Sequence, residues 1–445
     1  MARLWRGRSS PSSQDNHEQG GMDTATASYP DAAAAPYPDL LNTLIWNAIL
    51  DKATDVHLHC VEGGVRVLHR VDGTIHAKHL LPPAEGRKLL NQLKSAAGLT
   101  VGRLFAPTEG QIVWPDGNMK WEIRVTLTPV RDRESAHLRL LSVPTDQWDM
   151  SHLGFSTEDQ ERVSAAVHGL NGLILITGST GSGKTTSMYS LASLLDLRAV
   201  TTYSIEDPVE FRLPYAQQIE VDEQHGLTMH EGLRTILRMD PDLILVGEIR
   251  DSDSAVVAAR AALSGRLVLA TIHAQDAAGA VDALHYLGVP QHIIGSSLRL
   301  VIGQGLVRRL CPCCAATRDV SDADRQLFAR FGVEPPESLL QAAGCPECSS
   351  YGYKGRTGIF EVAAIDDETG TLISSGIHQR ELADHLRNRG VLSMVCDGLK
   401  KAAMGWTSVE EVSRVCGLSG VPESVQPASD PAADGILSPL RQFRI

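Results

Sequence analysis

The period of the hydrophobic positions changes along this chain, and the changes divide it into segments. Leu40 to Lys52 carries apolar residues at helical spacing, whereas Val56 to His59 and Val65 to Val71 alternate around Gly63-Gly64 like a β-hairpin. A helix over Pro83 to Ala97 and strands around Gln111 to Trp114, Trp121 to Leu127 and Ala136 to Leu141 complete a small α+β lobe at residues 39–143. Pro144 interrupts the pattern, and 144–150 reads as a linker. Over 151–310, short apolar runs of strand length alternate with helical stretches, which predicts a parallel sheet covered by helices on both faces. A cysteine-bearing element follows at 311–360, then a small helical subdomain at 361–420. The ends, 1–38 and 421–445, show little periodicity and read as disordered tails.

Bulk properties narrow the class. A chain of 445 residues is too long for one core, so two or three domains are expected. The net charge of −12 argues against broad nucleic-acid binding, and no nucleic acid is expected as a partner. No apolar run approaches the ~18 residues needed to cross a bilayer, and the N-terminus lacks the apolar stretch of a signal peptide. The expectation is a cytoplasmic protein without a transmembrane segment, or one held at a membrane by its partners.

The run Gly178-Ser179-Thr180-Gly181-Ser182-Gly183-Lys184-Thr185-Thr186 fills every fixed position of G-x-x-x-x-G-K-[ST]. The apolar run Leu173 to Ile176 before it predicts a buried strand, and Ser187 to Leu195 after it a helix, which is the context that phosphate binding requires. Glycines let backbone N–H groups turn inward around phosphate, and the helix N-terminus adds partial positive charge. Lys184 would meet the β- and γ-phosphates of ATP or GTP, and the Thr185 hydroxyl would hold Mg²⁺.

Hydrolysis also needs carboxylates, and two acidic groups follow apolar strands. Glu206-Asp207-Pro208-Val209-Glu210 ends the strand Ala199 to Ile205, and Glu248 follows Leu243 to Val246 and Gly247. Both stand at carboxyl ends of strands, the edge where open α/β sheets bind ligands. Either carboxylate could be the base or the metal's partner. Arg234 and Arg238, four apart in a helical stretch, share a face and are candidates to neutralise transition-state charge. His273 follows the buried strand Leu267 to Ala270 and could sense the γ-phosphate, although a histidine at a strand end is commonly structural.

Cys311 and Cys314 form one C-x-x-C pair and Cys345 and Cys348 another, with thirty residues between the pairs. Four thiolates give the tetrahedral environment of structural Zn²⁺ and leave no open position for water. Cys313 is adjacent enough to compete for the site. Cys60, Cys396 and Cys416 read as ordinary semi-buried residues.

Taken together, the loop at Gly178 to Thr186, Ile205 to Phe211, Leu233 to Asp251 and Thr271 to Ala277 resemble the Walker A, Asp box, Walker B and His box of the type II secretion and type IV pilus assembly ATPases. The resemblance covers roughly residues 50 to 417. It implies a RecA-like P-loop ATPase core, preceded by the α+β lobe and followed by a zinc knuckle and a helical subdomain. It also implies ATP, Mg²⁺ and Zn²⁺ as cofactors and assigns His273 to nucleotide sensing. In the lobe, Ala53 to His57 and Arg70 to Gly73 carry the likeness, and Arg124 and Arg139 stand where two arginines reach the triphosphate. Lys184, Arg234 and Arg238 carry over in the same way. A homohexamer at the cytoplasmic face of the inner membrane is implied, working with a membrane platform and cytoplasmic-face assembly proteins. The tetracysteine element marks the assembly and export members of the family rather than the retraction members.

Some positions depart from that pattern. Pro107-Thr108-Glu109-Gly110-Gln111 stands for the usual Pro-Gln-Asp-Gly-Arg, Val67-Leu68-His69-Arg70 lacks one of two expected basic residues, and Gln304-Gly305-Leu306-Val307-Arg308 replaces Gln-Arg-Leu-Val-Arg. These changes bear on lobe packing and subunit contacts rather than nucleotide binding. The family's larger N-terminal docking domain is not expected, a short tail standing in its place. The chain therefore reads as an ATPase coupling hydrolysis to pilus or pseudopilus polymerisation and protein export. A non-hydrolysing, nucleotide-gated assembly subunit is the alternative, and a conjugation motor is disfavoured by the acidic charge.

Overall fold

A computed structural model describes residues 39–102, 104–116, 119–141 and 150–418. The expected tails, and the expected linker apart from Met150, lie outside the described residues. In the lobe, α1 (Asp39–Leu50) leads into β1 (Ala53–Val61), β2 (Gly64–Val71), β3 (Thr74–Leu81), α2 (Pro83–Ala96), β4 (Thr108–Asp116), β5 (Met119–Val130) and β6 (Arg133–Leu141). The strands form an antiparallel sheet in the order β3-β2-β1-β6-β5-β4. Both helices bury their apolar stripes on one face of it, where Leu41, Ile45, Leu89 and Leu93 meet Leu58, Ile123 and Leu138. Strand β3 was not evident from periodicity, because Thr74 to Leu81 mixes two histidines and a lysine into a largely half-exposed edge.

The core runs through α3 (Met150–Leu153), α4 (Thr157–His168), β7 (Gly172–Thr177), α5 (Lys184–Ala192), β8 (Thr202–Glu206), β9 (Gln217–Glu220), α6 (Met229–Ile236), β10 (Leu243–Ile249), α7 (Ser252–Leu263), β11 (Leu267–Ile272), α8 (Ala277–Tyr286), α9 (Gln291–Ser297) and β12 (Leu298–Leu310). Beyond it come β13 (Ala316–Asp319), α10 (Asp322–Arg330), β14 (Ser338–Gln341), β15 (Tyr353–Ala364), α11 (Asp367–Ser374), α12 (Gln379–Asn388), α13 (Met394–Ala403) and α14 (Val409–Cys416). The main sheet has the order β15-β12-β7-β11-β10-β8-β9. Strands β7 and β11 are buried throughout, as parallel strands covered on both faces must be. Helices α6 to α9 cover one face of the sheet, and α3 to α5 cover the other.

Two expectations for the C-terminal third need correction. Strand β15 runs antiparallel to β12 along the edge of the main sheet, so a boundary at 360/361 cuts through a strand that belongs to the core. Nor do the following helices form one subdomain. Ile373 of α11 and Leu382 and Leu386 of α12 join the core on the α8/α9 face. By contrast, Leu399 of α13 and Val412 of α14 pack with Val307, Phe328 and Ile359 around the cysteine-bearing element. The stripes of α11 and α12 lie against α9 and α8, whereas those of α13 and α14 lie against β15 and β12.

Candidate functional site

The loop from β7 to α5 turns on glycines. Gly178, Gly181 and Gly183 have φ of 151°, 78° and 88°, a region that a Cβ disfavours. A Cβ on Gly178 would stand 2.2 Å from the Gln304 carbonyl oxygen, so loop and β12 are in backbone contact. Gln304 Nε2 in turn donates to the Ser182 carbonyl at 2.8 Å. Lys184 Nζ donates to the carbonyls of Gly178 and Ser179 at 3.0 and 3.1 Å, and burial lowers its pKa. Thr180, Gly181, Gly183, Lys184, Thr185 and Thr186 line a cavity of about 610 Å³, whereas Gly178, Ser179 and Ser182 do not line it.

The lobe closes the other side of that cavity. Arg124 on β5 and Arg139 on β6 are direct cross-strand partners, so both side chains leave the same face of the sheet, and both line the cavity. The Arg124 guanidinium donates to the Val209 carbonyl at 2.8 Å, tying the lobe to the loop after β8. Arg139 pairs with Asp55 at 3.1 Å. Burial opposes ionisation of Asp55, but hydrogen bonds from His137, Thr54 and Arg139 outweigh it and hold the carboxyl well below the usual range. A second lobe contact lies at the β2–β3 turn, where Asp72 Oδ2 accepts the Gly355 N–H at 2.8 Å and Oδ1 faces Arg356 Nε at 3.5 Å.

The two glutamates differ in setting. Glu206, at the end of β8, is buried; Tyr189 Oη donates to its Oε2, and Ser204 Oγ and Gln218 Nε2 donate to its Oε1 at 2.6 and 3.2 Å. Burial nevertheless raises its pKa above that of an ordinary glutamate. Glu248, near the end of β10, accepts from Arg250 Nε and lies 2.9 Å from His273 Nε2. Arg250 also reaches Asp207 at 3.3 Å, so one guanidinium joins the ends of β8 and β10. Glu206, Glu248 and His273 all line the cavity. The loop carrying His273 is held to the sheet by Thr177 Oγ1, which donates to the Ala274 carbonyl at 2.8 Å.

Arg234 and Arg238 are not in this cavity. Helix α6 buries Gly232, Leu233 and Ile236 under the sheet, so Arg234 falls on the solvent face, and Arg238 lies exposed beyond the helix end. Conversely, sequence reasoning missed Tyr189, Gln218 and Arg250. A tyrosine five residues after Lys184 in a helix otherwise rich in small residues was the visible signal for the first. Gln218 meets residues of α5, β8 and the loop at 211–213, and Arg250 bridges Glu248 to Asp207 after β8, contacts that no local spacing displays.

The four cysteines converge as their spacing implies. Cys311 Sγ lies 3.9 Å from Cys345 Sγ, Cys314 Sγ 3.7 Å from Cys348 Sγ, and Cys345 Sγ 3.8 Å from Cys348 Sγ. A tetrahedron with Zn–S bonds of ~2.3 Å has edges of about 3.8 Å, so the donor set fits a single zinc ion. The N–H groups of Gly344 and Gly352 donate to Cys314 and Cys348 Sγ at 3.3 and 3.1 Å, and such donors stabilise metal-bound thiolates. Burial disfavours the Cys348 thiolate, but the N–H donors of Cys345 and Gly352 outweigh it and bring the thiol down to about 7. Cys313 is exposed and outside the cluster. Among the described residues no helix is long and apolar enough to cross a membrane.

Comparison with known proteins gives a consistent result. The family described as Type II/IV secretion system protein matches residues 31–414. Type II secretion system protein E of Pseudomonas aeruginosa is 38% identical over 385 residues, which cover 86% of this chain and 76% of that protein. The type IV pilus assembly ATPase PilB of Myxococcus xanthus is 35% identical over 384 residues, covering 85% of this chain and 67% of its own length. Among solved structures, the Legionella pneumophila ATPase DotB aligns with a TM-score of 0.61 at 21% identity, over 86% of this chain and 97% of that one. At that identity the likeness concerns the fold.

Proposed function

The chain belongs to the Type II/IV secretion system protein family, and from that premise we propose that it is a Mg²⁺-dependent ATPase that drives assembly of a pilus or pseudopilus. One observation carries the reading: the phosphate loop, two strand-end glutamates and two lobe arginines line a single cavity of about 610 Å³. The positive-φ glycines and the Lys184 ammonium fit a triphosphate, and Thr185 with Glu248 fits its metal. Bound Mg²⁺ supplies charge neutralisation at the phosphates.

Within the cavity, Lys184 exchanges its loop carbonyls for phosphate oxygens. Arg124 and Arg139 neutralise charge from the lobe side, so nucleotide draws lobe and core together. Glu206 takes a proton from the attacking water as the new P–O bond forms and ADP leaves. Burial raises its pKa, which makes it a stronger base than an ordinary glutamate. Glu248 holds the metal's side of the site, and His273, hydrogen-bonded to it, senses the γ-phosphate. Exposed Arg234 and Arg238 act on the site of a neighbouring subunit, in keeping with a hexameric ring. The cysteine cluster holds structural Zn²⁺. The similarity to type II secretion protein E and to PilB supports an assembly role at the cytoplasmic face of the inner membrane, on a membrane platform.

The test is phosphate release by the purified protein with Mg-ATP. Lys184→Ala and Glu206→Gln are expected to lose turnover while keeping the fold by circular dichroism. Wild-type rates in folded Lys184→Ala would remove the nucleotide assignment.

A further inference from the structure

Gln218 lies on β9 at the end of the main sheet and does not itself line the cavity, yet its amide is saturated with contacts. Its Nε2 faces three acceptors, Tyr189 Oη at 3.2 Å, Glu206 Oε1 at 3.2 Å and the Phe211 carbonyl at 2.9 Å. Its Oε1 accepts the Leu213 N–H at 2.8 Å. The backbone of residues 211–213, downstream of the Asp207-Pro208 turn, is thus pinned to the same amide that touches Glu206. Tyr189 completes the arrangement: its ring is fully buried, stands edge-on to Phe211, and its hydroxyl donates to Glu206. On the other side of the loop, Val209 accepts from Arg124 of the lobe at 2.8 Å, and its N–H donates to Glu220 of β9 at 3.0 Å.

A carboxyl that must accept a proton in a buried site needs a fixed orientation and a fixed set of donors, since a buried group left unsatisfied is costly and mobile. Glu206 has both, and every donor comes from the helix after the phosphate loop, from its own strand or from β9. We infer that Tyr189 and Gln218 are positioning residues for Glu206, and that Gln218 links its carboxyl to the loop gripped by lobe Arg124, so that lobe closure sets the base. This rests on the reading of Glu206 as the base.

The sign of the effect follows from the chemistry. A donor to the carboxylate favours its charged form, so removing one makes Glu206 harder to ionise and moves the acid limb of turnover to higher pH. Tyr189→Phe keeps the ring and deletes only the donor. The acid limb of kcat is expected to move up by about one pH unit, with kcat down by about tenfold on that limb and the KM for Mg-ATP unchanged. Gln218→Ala, a half-buried position with little folding risk, is expected to lower kcat several-fold and likewise spare KM. Its effect should be less than additive with Arg124→Ala, because both loosen one loop.

Phosphate-release rates from pH 5.5 to 9 on wild type, Tyr189→Phe, Gln218→Ala, Glu206→Gln and the Arg124→Ala combination decide the matter. An acid limb that stays in place in Tyr189→Phe and Gln218→Ala while Glu206→Gln is inactive would overturn this inference alone. Wild-type turnover in Glu206→Gln would overturn the reading of the base and this inference with it.

Discussion

Replacing Glu361 by glutamine should make the protein more stable in alkali and leave it little changed in acid. Glu361 sits on β15, and burial lifts its carboxyl from 4.5 to about 7, against the Ala277 N–H that donates to it at 2.8 Å and with the added repulsion of Asp276. A folded-state pKa above the unfolded one means that the native protein binds more protons between those values, so stability falls as pH rises from about 4.5 through about 7. The full shift, 7 minus 4.5, corresponds to about 3 kcal/mol. Part of that loss has occurred by pH 5.5, where an unfolded glutamate is already ionised, and about 2 kcal/mol remains to be lost by pH 8. Glutamine keeps an oxygen for the Ala277 N–H but cannot ionise. The advantage of Glu361→Gln over wild type should therefore grow by about 2 kcal/mol between pH 5.5 and pH 8, or about 2–4 °C in melting temperature. Paired thermal and urea melts of the two proteins at both pH values measure it, and taking the difference at each pH cancels other titrating groups. A difference that stays constant across that range would refute the reasoning.

Other consequences are more local. Gly178→Ala combines a forbidden φ with a Cβ 2.2 Å from the Gln304 carbonyl, so nucleotide affinity should fall at least about tenfold in a titration with a fluorescent ATP analogue. Undiminished binding would mean that the loop adopts another conformation. Elemental analysis should find about one zinc per chain in wild type and in Cys313→Ser, and none in Cys345→Ser; zinc retained by the last would rule out the four-thiolate site. Asp72→Ala removes the acceptor for the Gly355 N–H and the Arg356 partner, loosening the lobe that supplies Arg124 and Arg139. The KM for Mg-ATP should rise severalfold with kcat less affected, and an unchanged KM would show that this contact does not hold the lobe in place.

The features that could be read from the sequence were local ones. The phosphate loop fits into nine consecutive residues, and both C-x-x-C pairs are short enough that a turn alone aims two sulfurs at one point. What could not be read depends on partners distant in the chain. Strand β15 pairs with β12 across the whole cysteine-bearing element, and its apolar run looks the same whether it borders a small domain or the main sheet. Helices α11 to α14 have stripes that do not say which surface they cover, so one bundle was expected where two separate packings occur. Their spacing places Arg234 and Arg238 on one helical face, but α6 ends at Ile236, so Arg238 lies beyond it, and Arg234 turns to solvent because Leu233 and Ile236 hold the opposite side. Tyr189 and Gln218 became visible only when α5, β8 and β9 met around Glu206.

The most direct test of an ATPase with Glu206 as its base is single-turnover phosphate release with Mg-ATP, comparing wild type, Glu206→Gln and Glu248→Gln. Glu206→Gln should bind Mg-ATP with wild-type affinity and release phosphate at least about a hundredfold more slowly, whereas Glu248→Gln should lose dependence on Mg²⁺ concentration as well as rate. Phosphate release from folded, nucleotide-loaded Glu206→Gln at the wild-type rate would contradict the account.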